Sequence, residues 1–378
     1  MKPLHGQRIA LRVDASLLMG SGHLMRCLTL AEALRARGAH CQFITREHPG
    51  HLLAVIQSRE FEAKTLKNFA KPAWETSKTI ATGTELPTHA AWLDIDWQTD
   101  AKQTAAALQG QVADWLVVDH YALDQRWEEA LAPHYRRLLV IDDLADRPHC
   151  ANLLLDQNLG RAPQDYAALV PTHCKLLIGP NYALLRPEFA ALRPYSLARR
   201  QKQPALRQLL ITMGGVDQFN ATGQVLQALQ NCKLPPDCQI TVVMGLNAPH
   251  LEAVRQLAAQ MHRPTEVLVN ISDMAQRMAD SDLAISAAGS TSWERCCLGL
   301  PTLMVVLANN QLGGALALAR ADAARFIGTP DDIAAQLPIA IEELNHEEAR
   351  TRMIAAASNI ADGNGLEEAC LAMESAHG

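Results

Sequence analysis

Arg8-Ile9-Ala10-Leu11-Arg12-Val13, followed by Asp14-Ala15-Ser16-Leu17-Leu18-Met19-Gly20-Ser21-Gly22-His23, is the stretch on which the fold turns. Ile9, Leu11 and Val13 alternate with Arg8, Ala10 and Arg12, the period of two expected of a strand. The polar, glycine-bearing run leaves its carboxyl end. Immediately beyond, Leu24, Cys27, Leu28, Ala31 and Leu34 recur at helical spacing, and Arg35, Arg37 and Gly38 supply a cationic last turn and a stop. Strand, turn and helix in that order make half of a βα unit and place His23 at a helix N-terminus. Gly20 and Gly22 are expected to let the backbone turn tightly and approach a ligand, with Ser21 between them. Free N–H groups of the first turn favour negative charge there. The same positive end disfavours imidazolium and suits His23 to the work of a general base.

Working outward, short apolar runs alternate with helix-length amphipathic stretches over nearly the whole chain, the pattern of parallel α/β sheets. The first half offers Ile9 to Val13, Cys41 to Thr45, Trp115 to Val118, Leu138 to Ile141, Leu153 to Leu155 and Leu176 to Ile178. The second half offers Leu209 to Met213, Ile240 to Met244, Val267 to Val269, Leu283 to Ser286 and Leu303 to Leu307. Two similar α/β halves are expected, residues 1–195 and 205–378. Between them Arg193 to Pro204 is basic, polar and bracketed by prolines, which reads as an exposed connection. From about Lys67 to Gln111 no pattern emerges, and from Pro330 onward the chain reads as helices.

Composition removes several function classes. The 378 residues carry 34 Lys and Arg against 40 Asp and Glu, a net charge of −6 that supplies no general cationic field for nucleic acid or an anionic membrane. Five Tyr, six Phe and six Trp are too dispersed for base-stacking platforms. The nine Cys show no C-x-x-C pair and no metal-ligand spacing, so reduced thiols and a cytoplasmic setting are expected, with no metal site. No signal-peptide core or membrane-length apolar run stands out. The glycine turn is not a dinucleotide fingerprint, because Met25 holds the third glycine position and no acidic residue follows about 20 positions later. A Walker A lysine is absent as well, and no cofactor is implied.

The second half has two further glycine turns at strand ends. One is Met213-Gly214-Gly215-Val216-Asp217-Gln218-Phe219-Asn220; the other is Ser286-Ala287-Ala288-Gly289-Ser290-Thr291-Ser292-Trp293-Glu294. Gly289, Ser290 and Thr291 can cradle a diphosphate, and the Glu294 carboxylate can accept two hydrogen bonds from a ribose diol. The plainer alternative is a capped helix with a solvent-facing Glu. Asp119-His120-Tyr121 and Asn309-Asn310-Gln311 also follow apolar runs, and polar groups at several strand ends are what a ligand cleft requires. Cys296 and Cys297 lack a nearby base motif and read as structural.

These stretches together resemble a known family. Arg12 to Ser16, Gly20 to His23, Arg26-Cys27-Leu28, Asp119 to Tyr121, Asp142-Asp143-Leu144, Asp156-Gln157-Asn158, Gly179 to Arg186, Met213 to Gly215 and Asn310-Gln311 are similar, in order, to the UDP-2,4-diacetamido-2,4,6-trideoxy-β-L-altropyranose hydrolases of bacterial pseudaminic acid synthesis. The resemblance covers roughly residues 8–312. It implies a GT-B fold, two Rossmann-like domains whose parallel sheets face a central cleft, and metal-independent hydrolysis of a UDP-sugar by inverting attack of water at C1. It further implies that His23 is catalytic, with Tyr121 and Asn310 near the reacting sugar. Asn220 and Glu294 are the substrate contacts it implies, and Asp14, Gly20, Ser21, Gly22, Gly214, Gly215, Gly289, Ser290, Thr291 and Gln311 complete the expected set. Ala288 departs from the pattern, standing where glycine is expected, which would constrain the backbone. A GT-B glycosyltransferase, a hydrolysing 2-epimerase and a non-catalytic nucleotide-sugar-binding protein are the alternatives.

Overall fold

The computed structural model describes residues 4–68, 87–202, 205–246 and 248–376. Residues 69–86, inside the stretch without a readable pattern, and Gln203 and Pro204 of the expected connection lie outside the described residues. The chain divides into two compact units, Met1–Gln157 with Arg161–Ile178 and Leu366–Gly378, and Asn158–Gly160 with Gly179–Gly365.

The strands of the first unit are β1 (Arg8–Val13), β2 (His40–Arg46), β3 (Glu62–Leu66), β4 (Ala113–Asp119), β5 (Tyr135–Ile141), β6 (Leu153–Asp156) and β7 (Lys175–Ile178). Among the described residues they form one seven-stranded parallel sheet in the order β3-β2-β1-β4-β5-β6-β7. Both faces are covered, so the strands read as continuous apolar runs. The alternation expected of β1 is therefore only half right. Ile9 through Val13 are all buried, Arg12 included, and Arg12 is accommodated by ion pairs to Asp14 at 2.5 Å and Asp100 at 2.7 Å. β3, with sequence EAKTL, is a polar edge strand and left no apolar signature to read.

The strands of the second unit are β8 (Gln208–Thr212), β9 (Gln239–Met244), β10 (Thr265–Val269), β11 (Leu283–Ala287), β12 (Thr302–Val305) and β13 (Arg325–Phe326). They pair in parallel in the order β10-β9-β8-β11-β12-β13. Both orders reverse direction beside the first strand of the sheet, between β1 and β4 and between β8 and β11. Open α/β sheets bind ligands at such a switch point, outside the carboxyl ends of the strands.

Helix Gly22–Ala36 follows β1 as expected, with Leu24, Cys27, Leu28, Ala31 and Leu34 all buried and Gly38 at φ +90 just beyond its end. The expected connection is a correction. Arg193 to Lys202 belongs to the helix Pro187–Lys202, and the division between the units falls at Ile178 and Gly179, not at 195–205. The basic run is not a solvated linker. Arg193 donates to the carbonyls of Cys297, Ala361 and Ser358, and Arg200 to those of Leu298, Ser281 and Met278. These include the last turns of the helices Thr291–Cys297 and Glu347–Ser358, where cations satisfy orphan acceptors. The C-terminal helices expected after Pro330 are present as Ile333–Leu344, Glu347–Ser358 and Gly365–Ser375.

Candidate active site

In the first unit the ends of β1 and β4 are paired in register, with Val13 opposite Asp119. The chain leaving β1 turns at Ser16, whose hydroxyl accepts from the N–H groups of Leu18 and Met19, and at Gly20, whose φ of +76 favours glycine. Gly22 adopts no positive φ; it opens the helix that Ser21 precedes, so only Gly20 is required by conformation. One residue later His23 is buried, at 8 % exposure, and faces the end of β4.

There the sequence reading missed the decisive partner. His23 Nδ1 lies 2.6 Å from Asp119 Oδ1, and Arg26, one helical turn further on, grips the same carboxylate through Nε at 2.6 Å and Nη2 at 2.7 Å. With Nδ1–H directed at a carboxylate, Nε2 keeps its lone pair as a proton acceptor. Control of the ring by the helix terminus alone is thereby corrected. Arg26 also reaches Asp143 Oδ2 at 2.7 Å, and the Tyr121 hydroxyl donates to that same oxygen at 2.7 Å. Burial opposes ionisation of Asp119, but Arg26 and then His23 outweigh it and hold the carboxyl well below its usual range. Burial and Asp143 push the Tyr121 phenol up, so it remains a donor.

Rings enclose the imidazole. Tyr121 stands edge-on to His23 with centroids 4.6 Å apart, Trp92 stacks on Tyr121 at 5.5 Å, and His89 packs against Trp92 at 4.6 Å. His89 and Trp92 come from the stretch without a readable pattern. Burial lowers the His89 pKa, and Arg147 and His23 act in the same direction.

Asp14, expected at the substrate, is engaged by the chain's own groups. It is 1 % exposed, and its oxygens are occupied by Arg12, the Arg46 N–H at 2.7 Å, the Thr45 hydroxyl at 3.3 Å and His48 at 3.4 Å. His120 accepts from the Ala122 N–H through Nδ1, which leaves its Nε2–H facing Asp14 at 3.3 Å. Asp14 and His120 tie together the ends of β1, β2 and β4 under the site.

In the second unit the two glycine turns differ. Gly214 has φ +88, and Gly214 and Gly215 are exposed beyond β8. A Cβ at Gly245 would come within 2.0 Å of the Gly215 carbonyl oxygen, so the turn after β9 packs on the turn after β8. The helix that follows, Ala221–Leu229, has its first amides occupied: Asp217 accepts from Ala221 at 2.8 Å and Thr222 at 2.9 Å, and Asn220 caps Gly223 at 3.3 Å. Asn220, expected at the substrate, serves as an N-cap.

The turn after β11 is built around a buried arginine that the sequence reading passed over. Arg295 is 1 % exposed and donates from Nη1 to the hydroxyls of Ser286 and Thr291, both at 2.8 Å. From Nη2 it donates to the Ala287 carbonyl and the Ser292 hydroxyl, both at 3.0 Å. Gly289 and Ser290 lie on the turn these contacts hold in place, and Gln311, whose side chain accepts from the Leu307 N–H, borders Gly289: a Cβ there would be 3.9 Å from the Gln311 amide nitrogen. Asn310 is exposed on the same short turn, Asn309–Gln311. Ala288 takes an ordinary backbone conformation with its N–H on the Val305 carbonyl, so the expected constraint does not arise. Glu294 is half-buried, and burial pushes its carboxyl up to about 7 against the opposing pull of Arg186 and Arg295. Cys296 and Cys297 are buried, and burial pushes their thiols up to about 12 and about 11, which leaves them protonated and inert.

His23 and Tyr121 are thus brought together in one unit, and Gly289, Ser290, Thr291, Glu294, Asn310 and Gln311 belong to the other. Among the described residues, no group of three or more His, Cys, Asp or Glu is arranged to hold a metal ion, and no helix is long and apolar enough to cross a membrane.

Residues 209–368 match the model of the glycosyltransferase family 28 C-terminal domain. An uncharacterised protein of Methanocaldococcus jannaschii is 24% identical over 309 residues, 81% of this chain but only 56% of that protein. The UDP-2,4-diacetamido-2,4,6-trideoxy-β-L-altropyranose hydrolase of Campylobacter jejuni is 26% identical over 54% of this chain and 70% of its own length. The crystal structure of MurG from Acinetobacter baumannii superposes with a TM-score of 0.68, covering 98% of this chain and 99% of that one at 16% identity. The chain therefore has the GT-B fold.

Proposed function

We propose that this protein works in a cytoplasmic setting as a UDP-sugar hydrolase that releases UDP from a 2,4-diacetamido-2,4,6-trideoxy sugar; its Campylobacter jejuni relative is named as the hydrolase of such a UDP-sugar. The observation that carries the reading is the His23–Asp119 pair, in which the carboxylate accepts the Nδ1–H hydrogen bond and leaves Nε2 as the base. Residues of the second unit, the turn Gly289 to Thr291 with Glu294 and Gln311, would hold the nucleotide. His23 Nε2 takes a proton from water as the water oxygen bonds to the anomeric carbon. The C1–O bond breaks on the opposite face, and its electron pair leaves with the β-phosphate of UDP, a good leaving group. The sugar is released with inversion, and the imidazolium returns its proton to solvent. Asp119 steadies the imidazolium as it forms, as buried carboxylates do behind catalytic histidines. Oxocarbenium character at the sugar is met by polar oxygens, with Tyr121 and Asn310 proposed nearby.

A glycosyltransferase is the second reading, favoured by the family 28 match over residues 209–368. Incubation of the protein with the UDP-sugar in ¹⁸O-water, without any acceptor, separates the two. Hydrolysis places the label at C1 of the free sugar and none in UDP. Release of UDP only after an acceptor alcohol is added would overturn the hydrolase reading.

A further inference from the structure

Among the described residues the buried arginines Arg12, Arg26, Arg46 and Arg147 each meet at least one carboxylate within 4 Å. Arg295 meets none. Its four hydrogen bonds go to three hydroxyls and one carbonyl, all neutral, and its Nε, buried with the rest, has no partner at all. Arg200 is also buried without a carboxylate, but its Nε and both terminal nitrogens are capped by carbonyls near helix ends, where partial negative charge accumulates. The hydroxyls around Arg295 supply no such field. Burial lowers its pKa only to about 10, so the guanidinium stays charged at neutral pH.

An isolated buried charge is unfavourable unless something compensates it. Its contacts show where compensation would come from. Ser286, Ala287, Thr291 and Ser292 are the stem of the turn whose apex is Gly289-Ser290, so the charge lies directly behind that turn. In a low-dielectric interior the field of a cation reaches beyond its immediate neighbours. The helix beginning at Thr291 has only seven residues, too short to supply a strong positive end by itself.

We propose that Arg295 is a positioning residue for the nucleotide: a charge stored behind the turn after β11, whose counter-ion is the diphosphate of the incoming ligand. It both shapes the turn through the hydroxyls of Ser286 and Thr291 and makes the turn electropositive. The proposal rests on the reading that this turn receives a nucleoside diphosphate.

Calorimetric titration of the full-length protein with UDP and with uridine tests it, because uridine shares the base and ribose but lacks the charge. For Arg295→Met the UDP affinity is expected to fall about tenfold or more while uridine affinity stays unchanged, a loss typical of a charged hydrogen-bonding group. Melting of the unliganded variant should fall by less than that of Arg26→Met, since the groups left without a donor are neutral hydroxyls and one carbonyl. Arg295→Lys keeps the charge and should keep most of the UDP preference over uridine. Equal weakening of UDP and uridine, or a Lys variant as poor as Met, would show a purely architectural role and overturn the proposal. Wild type that binds UDP no better than uridine would overturn the diphosphate reading itself. Wild type with a clear UDP preference that survives in Arg295→Met would remove this inference alone.

Discussion

Arg26 and Arg295 are both buried on the helix that follows the switch point of their sheet, yet their electrostatic surroundings are opposite. Arg26 shares two carboxylates with His23 and Tyr121, and burial, though it opposes the charge, is outweighed by Asp119 and Asp143, which hold its pKa well above the usual value. Arg295 donates hydrogen bonds only to neutral oxygens, and burial outweighs the opposing pull of Cys296 and Glu294. The first region is electrically complete before any ligand arrives. The second makes no ion pair at rest. A proton-transfer site needs a fixed geometry at rest, whereas an anion site gains affinity by leaving its cation uncompensated until the anion is present.

The comparison breaks most directly at Arg26. Arg26→Met strands Asp119 and Asp143 without their cation, and a loss of about 3–5 kcal/mol is expected in urea unfolding. If Arg295→Met proves as destabilising as Arg26→Met, the contrast between the two sites is wrong. Next in size, His23→Asn should lower turnover by about 10²–10⁴-fold with UDP affinity little changed. Single-turnover kinetics with UDP-sugar checks this, and near-normal turnover would remove His23 from the base role. Gly245→Ala forces a methyl onto the Gly215 carbonyl, and about 1–3 kcal/mol of stability should be lost, with UDP affinity falling if the turn after β8 touches the nucleotide.

The smallest effect concerns Glu294, whose carboxyl rises from an ordinary 4.5 to about 7 in the folded chain. Between those values the folded protein holds a proton that the unfolded chain has released. Stability from this group is therefore fully present below pH 4.5 and declines as pH rises through 7. Glu294→Gln should flatten that part of the melting-temperature profile. If Glu294 binds the ribose as a carboxylate, wild-type UDP affinity should also rise from pH 6 to 8, and the variant's should not.

The paired architecture was legible because parallel strands covered on both faces must be apolar without interruption, which is why eleven runs could be placed from sequence. β3 and β13 could not, one being a polar edge and the other two residues long. The helix Pro187–Lys202 was misread because its arginines look solvated in one dimension. Only the fold shows that the carbonyls they satisfy lie 78 to 168 residues away, as for Arg193 with Cys297 and Arg200 with Met278. His23 was legible from its glycine turn. Asp119 was quoted in a motif but given no role, because its meeting with His23 depends on β4 lying beside β1 and not on any spacing. Arg26 had a faint signal, standing three residues after His23 on the same helical face. Trp92 and His89 had none, since aromatic residues in an aperiodic stretch carry no indication of what they cover.

One carboxylate in the second unit limits how a ligand can enter. Asp217 already occupies the leading amides of the helix after β8, so that helix end is plugged by the chain's own anion. Under the proposed reading, an incoming pyrophosphoryl group is directed to the turn over Arg295 and not to this helix end. If the turn over Arg295 takes the diphosphate, as proposed, the base and ribose are left to the remainder of the second unit, away from the helix end that Asp217 fills.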